Sequence, residues 1–163
     1  MSAIRPAVLS DSDALFFLAS AFATSFSVER SAFDSSFAAL LQSPEAFVGV
    51  ASDTGTVIGY VLGFDHHTFY ANGRVAWVEE IMVSEEMRGH GIGRQLMNCF
   101  EQWAKTRQSR LVALATRKTP EPEFQVWKRN LKIPLEERFC TGLGLQSPSF
   151  IPRTSCITGG APS

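Results

Sequence analysis

Three glycines, each separated from the next by one residue, lie between two arginines near the middle of the chain. The stretch, here called the glycine turn, reads Arg88-Gly89-His90-Gly91-Ile92-Gly93-Arg94. Glycine allows backbone N–H groups to converge on a ligand, because no Cβ blocks the approach. A helix that begins in the turn adds unpaired N–H donors and a partial positive charge. The pattern therefore predicts a cradle for a diphosphate, with Arg88 and Arg94 on its flanks.

Two common phosphate-binding patterns are absent around this turn. The Gly-Lys-Ser/Thr of nucleotide-hydrolysing P-loops does not occur there, and the dinucleotide fingerprint needs a glycine where the chain has Leu96. The pattern that remains is Arg-x-x-Gly-x-Gly, beginning at Arg88. The diphosphate must therefore belong to a ligand of another class.

Two acidic residues, Glu79 and Glu80, interrupt an otherwise apolar strand pattern just before the turn. Neighbouring side chains of a regular strand point to opposite faces, so only one of the two is expected to face a cleft directly. Because the strand leads into the predicted cradle, we expect at least one of these carboxylates to belong to the site.

The elements that must hold these residues follow from the spacing of apolar residues and from turn signals. A predicted helix over 92–107 lies between predicted strands over 74–83 and 111–116, so the two strands are expected to run parallel. The preceding part of the chain is predicted to form a strand at 3–8, helices at 14–26 and 31–41, and a hairpin of strands at 47–51 and 56–64.

The last part of the chain is harder to interpret because prolines interrupt it. We expect a helical turn near 124–131, a helix over 135–141 and a final strand over 150–157. Neither a linker nor an internal repeat divides the sequence, which predicts one domain over residues 1–163. The order of the elements predicts an α/β or α+β layer fold.

The glycine turn, with Glu80-Ile81-Met82-Val83 before it, resembles the coenzyme A signature of the GNAT superfamily of N-acetyltransferases. Residues 4–7 (Ile-Arg-Pro-Ala) and 139–145 (Phe-Cys-Thr-Gly-Leu-Gly-Leu) are similar to other family patterns, so the resemblance covers most of the chain. It implies the GNAT fold, in which helices flank a mixed, mostly antiparallel central sheet. A splayed pair of parallel strands in that sheet would bind acetyl-CoA as a cosubstrate.

The resemblance also implies which residues would bind acetyl-CoA. Main-chain groups of Ile81, Met82 and Val83 would hold the pantetheine arm, and the Val83 N–H would polarise the thioester carbonyl. The diphosphate would be held by the glycine turn, that is, by Arg88, Gly89, His90, Gly91, Ile92, Gly93 and Arg94.

Catalytic roles are implied for three residues. The attacking amine must be neutral, so a carboxylate is expected to remove a proton directly or through water. Glu80 is preferred because Glu-Ile-x-Val is the commoner family spacing, although some polyamine-type relatives use the position of Glu79. Cys140 stands where many members have a tyrosine that protonates the leaving thiolate. A thiol with a pKa of about 8.5 either supplies that proton or is merely structural, and we prefer the structural role.

The function implied by the resemblance is direct transfer of an acetyl group from acetyl-CoA to a primary amine within a ternary complex. Direct attack is preferred because no Ser-His or Cys-His nucleophile is readable in the sequence. A small-molecule amine is the preferred acceptor, and a peptide or protein amine is the alternative. A non-catalytic acyl-CoA-binding or sensing module is a rival from another class, which the departure at Cys140 favours.

Composition bears on partners and location. A net charge of −1 and a pI near 6.3 give no electrostatic reason to bind nucleic acid or an anionic membrane. No apolar run approaches the roughly 20 residues of a membrane span. The three cysteines, Cys99, Cys140 and Cys156, form no CxxC pair, which disfavours a zinc site or disulfide framework and favours the cytoplasm. We therefore expect no metal, and the resemblance leaves a homodimer open.

Overall fold

The computed structural model describes residues 2–23, 26–117 and 124–131. The predicted elements at 135–141 and 150–157, and Cys140, lie outside the described residues. The described elements are, in chain order, β1 (Ala3–Pro6), α1 (Ser12–Phe22), α2 (Arg30–Gln42), β2 (Ala46–Asp53), β3 (Thr56–Thr68), β4 (Gly73–Val83), α3 (Ile92–Thr106), β5 (Leu111–Arg117) and β6 (Phe124–Asn130).

The strands of this part of the chain form one sheet in the order β1-β2-β3-β4-β5-β6. Every neighbouring pair is antiparallel except β4 and β5, which run parallel and are joined through α3. The structure therefore confirms the predicted mixed, mostly antiparallel sheet with helices, and it confirms the parallel pair around the central helix.

Strand β6 shows that the expected helical turn near 124–131 was wrong. Residues 124–130 pair antiparallel with β5, from Phe124 opposite Arg117 to Asn130 opposite Leu111. The segment contains phenylalanine, valine and tryptophan, which favour strands. The edge of β5 provides partners for its backbone, and such an edge exists only once the sheet has formed.

Helix α3 packs on one face of the sheet through every fourth residue. Ile92, Leu96, Phe100 and Ala104 are each at most 3% exposed and lie on one stripe of the helix. Gly63 of β3 allows the closest approach, because a Cβ there would lie 2.6 Å from the Phe100 ring. The burial of this stripe fixes the position at which the helix begins.

Helices α1 and α2 cover the opposite face of the sheet. Leu15 of α1 and Phe37 of α2 are buried against Val48, Val50 and Tyr60 of β2 and β3. The two helices are also joined by polar contacts: Arg30 forms ion pairs with Asp13 and Asp34, and the Ser12 hydroxyl donates to Asp34 over 2.7 Å. The fold is therefore a three-layer arrangement with β4 between the two helical layers.

The far end of α3 is held by ion pairs that arginines form with two buried carboxylates. Asp65 of β3 is 1% exposed and accepts hydrogen bonds from Arg74 of β4 and from Arg107, which follows α3. Burial opposes ionisation of this carboxyl, but the two guanidinium groups outweigh it and lower the pKa of Asp65 below its usual value. Glu101 of α3 accepts a hydrogen bond from Arg129 of β6 over 2.7 Å.

Candidate active site

The parallel strands β4 and β5 are paired over only four residues each. Pairing runs from Val75 opposite Leu111 to Val78 opposite Leu114, whereas β4 continues to Val83 and β5 to Arg117. The space between residues 79–83 and 115–117 is here called the strand gap. It corresponds to the splayed parallel pair that the family resemblance implies, and it leads along β4 towards the glycine turn.

Backbone groups of β4 alternate between the strand gap and β3. The Ser84 N–H donates to the Ile58 carbonyl of β3 over 2.8 Å, so the backbone groups of Met82 also face β3. Those of Ile81 and Val83 then face the strand gap, where the Val83 carbonyl accepts a hydrogen bond from Arg88 Nε over 3.3 Å. Of the three residues expected to bind through main-chain groups, two therefore direct an N–H into the gap.

The glycine turn has the backbone geometry that its sequence predicts. Gly89 and Gly91 have φ values of 81° and 79°, a left-handed conformation that costs other residues energy. Gly91 is the residue before α3, and no side chain caps the helix there. The first N–H groups of the helix, on Ile92, Gly93 and Arg94, have no earlier carbonyl of the helix to bind.

Open space lies beside the glycines of the turn. A Cβ on Gly89 or Gly91 would meet no atom within 4 Å, and one on Gly93 would meet only Val83 Cγ2, at 3.9 Å. Arg88, His90 and Arg94 are exposed around the turn, and the His90 ring lies 3.0 Å from the Arg88 carbonyl through Nδ1. The turn therefore fits a diphosphate group on geometry and on charge.

A β-bulge in β4 changes the expected directions of Glu79 and Glu80. Leu62 lies opposite Glu80 but the next residue, Gly63, lies opposite Val78, so Glu79 is the extra residue. Ala76 and Val78 before the bulge, and Ile81 and Val83 after it, all pack on the α3 side. Glu79 and Glu80 must therefore share the opposite face, and the expectation that they point to opposite faces was wrong, because alternation holds only in a regular strand.

Glu80 has a buried hydrogen-bond partner. The hydroxyl of Tyr60 on β3 donates to Glu80 Oε2 over 2.6 Å, and Tyr60 is 3% exposed. Burial, together with the bond to Glu80, raises the pKa of Tyr60 far above its usual value, so the phenol stays protonated. From the sequence Tyr60 is only a core or cleft-wall residue. The signal that could have revealed the pair is its diagonal position across two neighbouring strands.

Beside this pair lies a cavity of about 410 Å³ between the sheet and the helices, here called the helix cavity. Glu80 and Tyr60 lie in its sheet wall, and side chains of α1 and α2 form the other walls. Glu79 is exposed and lines a neighbouring depression that shares Ser36, Leu40 and Leu62 with the cavity. Both carboxylates therefore lie on the face of β4 that is covered by α1 and α2.

Two further features of the described residues are relevant. In residues 2–23, 26–117 and 124–131, no three His, Cys, Asp or Glu side chains gather as metal ligands. Among the helices in these ranges, none combines the length and apolar character needed to cross a bilayer. Cys140 lies outside the ranges, so its preferred structural role and the alternative acid role both stay predictions.

Comparison with known families identifies the family of this chain. A family model described as "Acetyltransferase (GNAT) family" matches residues 13–131, which contain both β4 and the glycine turn. The chain therefore belongs to the GNAT family of acetyltransferases and is an acyltransferase by that membership. No curated protein sequence matches the chain.

Solved structures with different named activities share the fold. Glucosamine-6-phosphate N-acetyltransferase from Arabidopsis thaliana is 19% identical with a TM-score of 0.64, over 72% of this chain and 83% of that one. Ribosomal-protein-alanine N-acetyltransferase from Brucella melitensis biovar Abortus 2308 is 23% identical with a TM-score of 0.61, over 74% and 83%. AAC(6')-Iy, in complex with a CoA-containing bisubstrate analog, is 21% identical with a TM-score of 0.63, over 75% and 82%. At these identities the likeness is one of fold.

Proposed function

We propose that this protein transfers the acetyl group of acetyl-CoA to a primary amine of a small molecule, by direct attack in a ternary complex. The observation that carries the proposal is the Tyr60–Glu80 pair in the wall of the helix cavity. Glu80 belongs to the same strand as Val83, whose N–H faces the strand gap three residues further on. The segment 80–83 thus offers both a carboxylate that could accept a proton from an amine and an N–H that could donate to an acyl oxygen.

The strand gap and the glycine turn would bind acetyl-CoA, which supplies the acetyl group as a thioester. The N–H groups of Ile81 and Val83 would bind along the pantetheine arm, and the helix start at residues 92–94 would bind the diphosphate. Arg88 and Arg94 add positive charge beside it. The Val83 N–H would donate to the thioester carbonyl, where negative charge grows during the reaction.

Glu80 would act as the general base, directly or through one water. The amine arrives as an ammonium ion, and Glu80 accepts one proton to leave a lone pair on nitrogen. A nitrogen–carbon bond then forms and the carbon–sulfur bond breaks, and the sulfur leaves with one of the remaining protons on nitrogen or with a proton from solvent. The balance is one amide, one thiol and one released proton. Tyr60 would hold the Glu80 carboxylate in place through the 2.6 Å hydrogen bond.

The volume of the helix cavity supports a small acceptor. A volume of about 410 Å³ lies within the range of about 300–1,000 Å³ that is common for small-molecule sites. The solved neighbours named above include enzymes whose names give a sugar phosphate or a protein alanine as acceptor, so the fold alone does not choose between them.

The cytoplasmic location expected from the cysteines also stays a prediction.

The rival function is acyl-CoA binding without transfer. Two measurements on the full chain distinguish it from acetyl transfer. Calorimetry with CoA tests the strand gap and glycine turn, and free-thiol release from acetyl-CoA with a panel of primary amines tests transfer. We expect binding in the first and amine-dependent release in the second. Binding with no release for any amine supports the rival, and release only with peptide amines supports a protein acceptor. No binding of any CoA species overturns both functions.

A further inference from the structure

We propose that the acceptor is a primary amine carried on an apolar or aromatic body, without phosphate and with few hydroxyl groups. This inference rests on the proposed function, because it names the substrate class of the same site. Its evidence is the composition of the walls of the helix cavity, and it uses neither the strand gap nor the glycine turn.

Most of the helix-cavity wall is apolar, and aromatic rings form a large part of it. Phe22 of α1 and Phe33 and Phe37 of α2 line it, together with Leu15 and Leu40. Phe33 and Phe37 are stacked with their ring centroids 5.9 Å apart, so they present a continuous apolar surface. A ligand that removes this surface from water is stabilised in proportion to its own apolar area.

The charges in the lining all have one sign. Glu29 at the start of α2 and Glu80 on β4 are its charged residues, and no lysine, arginine or histidine lines the helix cavity among the residues that the structure describes. Such a cavity attracts an ammonium group, both through the carboxylates and through the faces of aromatic rings. It repels a phosphate group for the same reason. A sugar phosphate amine would therefore lack a counter-ion there.

The supply of hydrogen-bond partners is small. Besides the two carboxylates, the described side chains that line the helix cavity offer the hydroxyls of Ser27, Ser36 and Tyr60, and the Tyr60 hydroxyl already donates to Glu80. An amino sugar carries several hydroxyl groups, and each one that is buried without a partner weakens binding. The walls therefore match an amine with an apolar body better than a polyhydroxylated one.

The test compares four amines at equal acetyl-CoA: 2-phenylethylamine, hexylamine, glucosamine and glucosamine-6-phosphate. We expect kcat/KM from thiol release to be at least tenfold higher for the first two than for either sugar amine. A preference for either sugar amine overturns the inference and leaves the acetyltransferase function in place. If no amine is acetylated, calorimetry of 2-phenylethylamine with the CoA-loaded protein decides. Binding then keeps the inference while transfer fails, and no binding overturns it.

Charge reversal at the exposed Glu29 sharpens the test without disturbing the core. Glu29→Lys should raise KM for 2-phenylethylamine about three- to tenfold, because it places a cation beside an incoming ammonium group. CoA affinity should not change. Glu45→Lys makes the same charge change at an exposed residue that does not line the helix cavity, and it should leave KM unchanged. Equal effects of the two variants, or no effect of Glu29→Lys, would contradict the role of the cavity charge.

Discussion

The glycine turn follows the end of β4, and the helix cavity is lined by Glu80 of the same strand, yet the two regions are built in different ways. The turn takes its chemistry from the backbone of consecutive residues, 88–94, and from the helix that begins among them. The cavity takes its chemistry from side chains of α1, α2, β2, β3 and β4, which lie between Leu15 and Glu80 in the sequence. A backbone site needs only a short pattern, whereas a side-chain site needs the whole fold. For this reason a short sequence pattern can indicate a cosubstrate but not an acceptor.

The largest expected effect separates the two carboxylates of β4. The bulge places Glu79 and Glu80 on one face, but the Tyr60 hydrogen bond is made by Glu80 alone of the two. Glu80→Gln should therefore lower kcat by about 100-fold, within the 10²–10⁴ range of general base catalysis, while the Kd for CoA stays the same. Glu79→Gln is the matched control, since it makes the same chemical change one residue away, and it should change kcat less than threefold.

Thiol-release kinetics and calorimetry measure both quantities for each variant. A loss of kcat in Glu79→Gln with none in Glu80→Gln would reverse the assignment. Equal losses in both would indicate that the bulge makes the two carboxylates one unit, and the hydrogen bond to Tyr60 would then not mark the base.

The next prediction divides the glycines of the turn into two kinds. Gly91 needs its positive φ, so Gly91→Ala should destabilise the protein by about 1–2 kcal/mol as well as weaken CoA binding. Gly93 has helical geometry and free space beside it, so Gly93→Ala should keep or slightly raise stability, by up to about 1 kcal/mol. The same Cβ should weaken CoA binding by about tenfold, equivalent to about 1.4 kcal/mol, if the diphosphate lies against the helix start.

Urea unfolding and calorimetry of both alanine variants provide the measurement. Gly93→Ala with unchanged CoA affinity would show that the ligand does not approach this residue, and the cradle would have to lie elsewhere. Because its fold is expected to be intact, a loss of binding in this variant has no other structural cause.

Sequence patterns predict the described fold well where an element depends only on its own residues. The spacing of Leu96, Phe100 and Trp103 predicts α3 because a helix repeats every 3.6 residues, and the glycines predict the turn. Strand β6 and the bulge at Glu79 are missed, because each depends on a neighbouring strand. The Tyr60–Glu80 pair is missed for the same reason, since its two residues meet only through the register of β3 and β4.

A smaller effect is expected from the partner of the proposed base. Tyr60→Phe removes the hydroxyl that donates to Glu80 but keeps the buried ring. The carboxylate would become less fixed, so kcat should fall about fivefold. This loss is smaller than the one expected for removing a fully buried hydrogen bond to a charged group, because Glu80 is half-buried and water reaches it. The double variant with Glu80→Gln should lose little more than Glu80→Gln alone, since the two residues would act together. Additive losses would give Tyr60 a separate role.

The smallest expected effect concerns the attachment of α1, which supports the helix cavity and not the glycine turn. Asp11, just before α1, is 6% exposed and accepts hydrogen bonds from Arg5 over 2.7 and 2.8 Å and from the Val8 N–H over 2.8 Å. The Arg5 guanidinium lowers the pKa of Asp11 below its usual value, and burial offsets this only in part. Because the folded-state pKa is the lower one, the stabilisation is complete above the unfolded value of about 3.9 and is lost as the pH falls through the folded value.

Asp11→Asn should accordingly lower the free energy of unfolding at pH 7 by about 1–2 kcal/mol, the lower part of the range for charged hydrogen bonds because Arg5 is partly exposed. The difference from the unmodified protein should shrink as the pH falls below the unfolded value of about 3.9 and through the lower folded-state pKa of Asp11, where Asp11 becomes neutral in the folded protein as well. Asp13→Asn removes a carboxylate from an exposed ion pair two residues away and should change stability by less than about 0.5 kcal/mol. Urea unfolding at pH 7 and pH 3 measures these differences. If the free energies of unfolding of Asp11→Asn and the unmodified protein differ by the same amount at both pH values, the charge of Asp11 does not hold α1. Since CoA is proposed to bind at α3 and β4, its affinity should be equal in both variants. The KM for the amine should rise only in Asp11→Asn, which loosens α1.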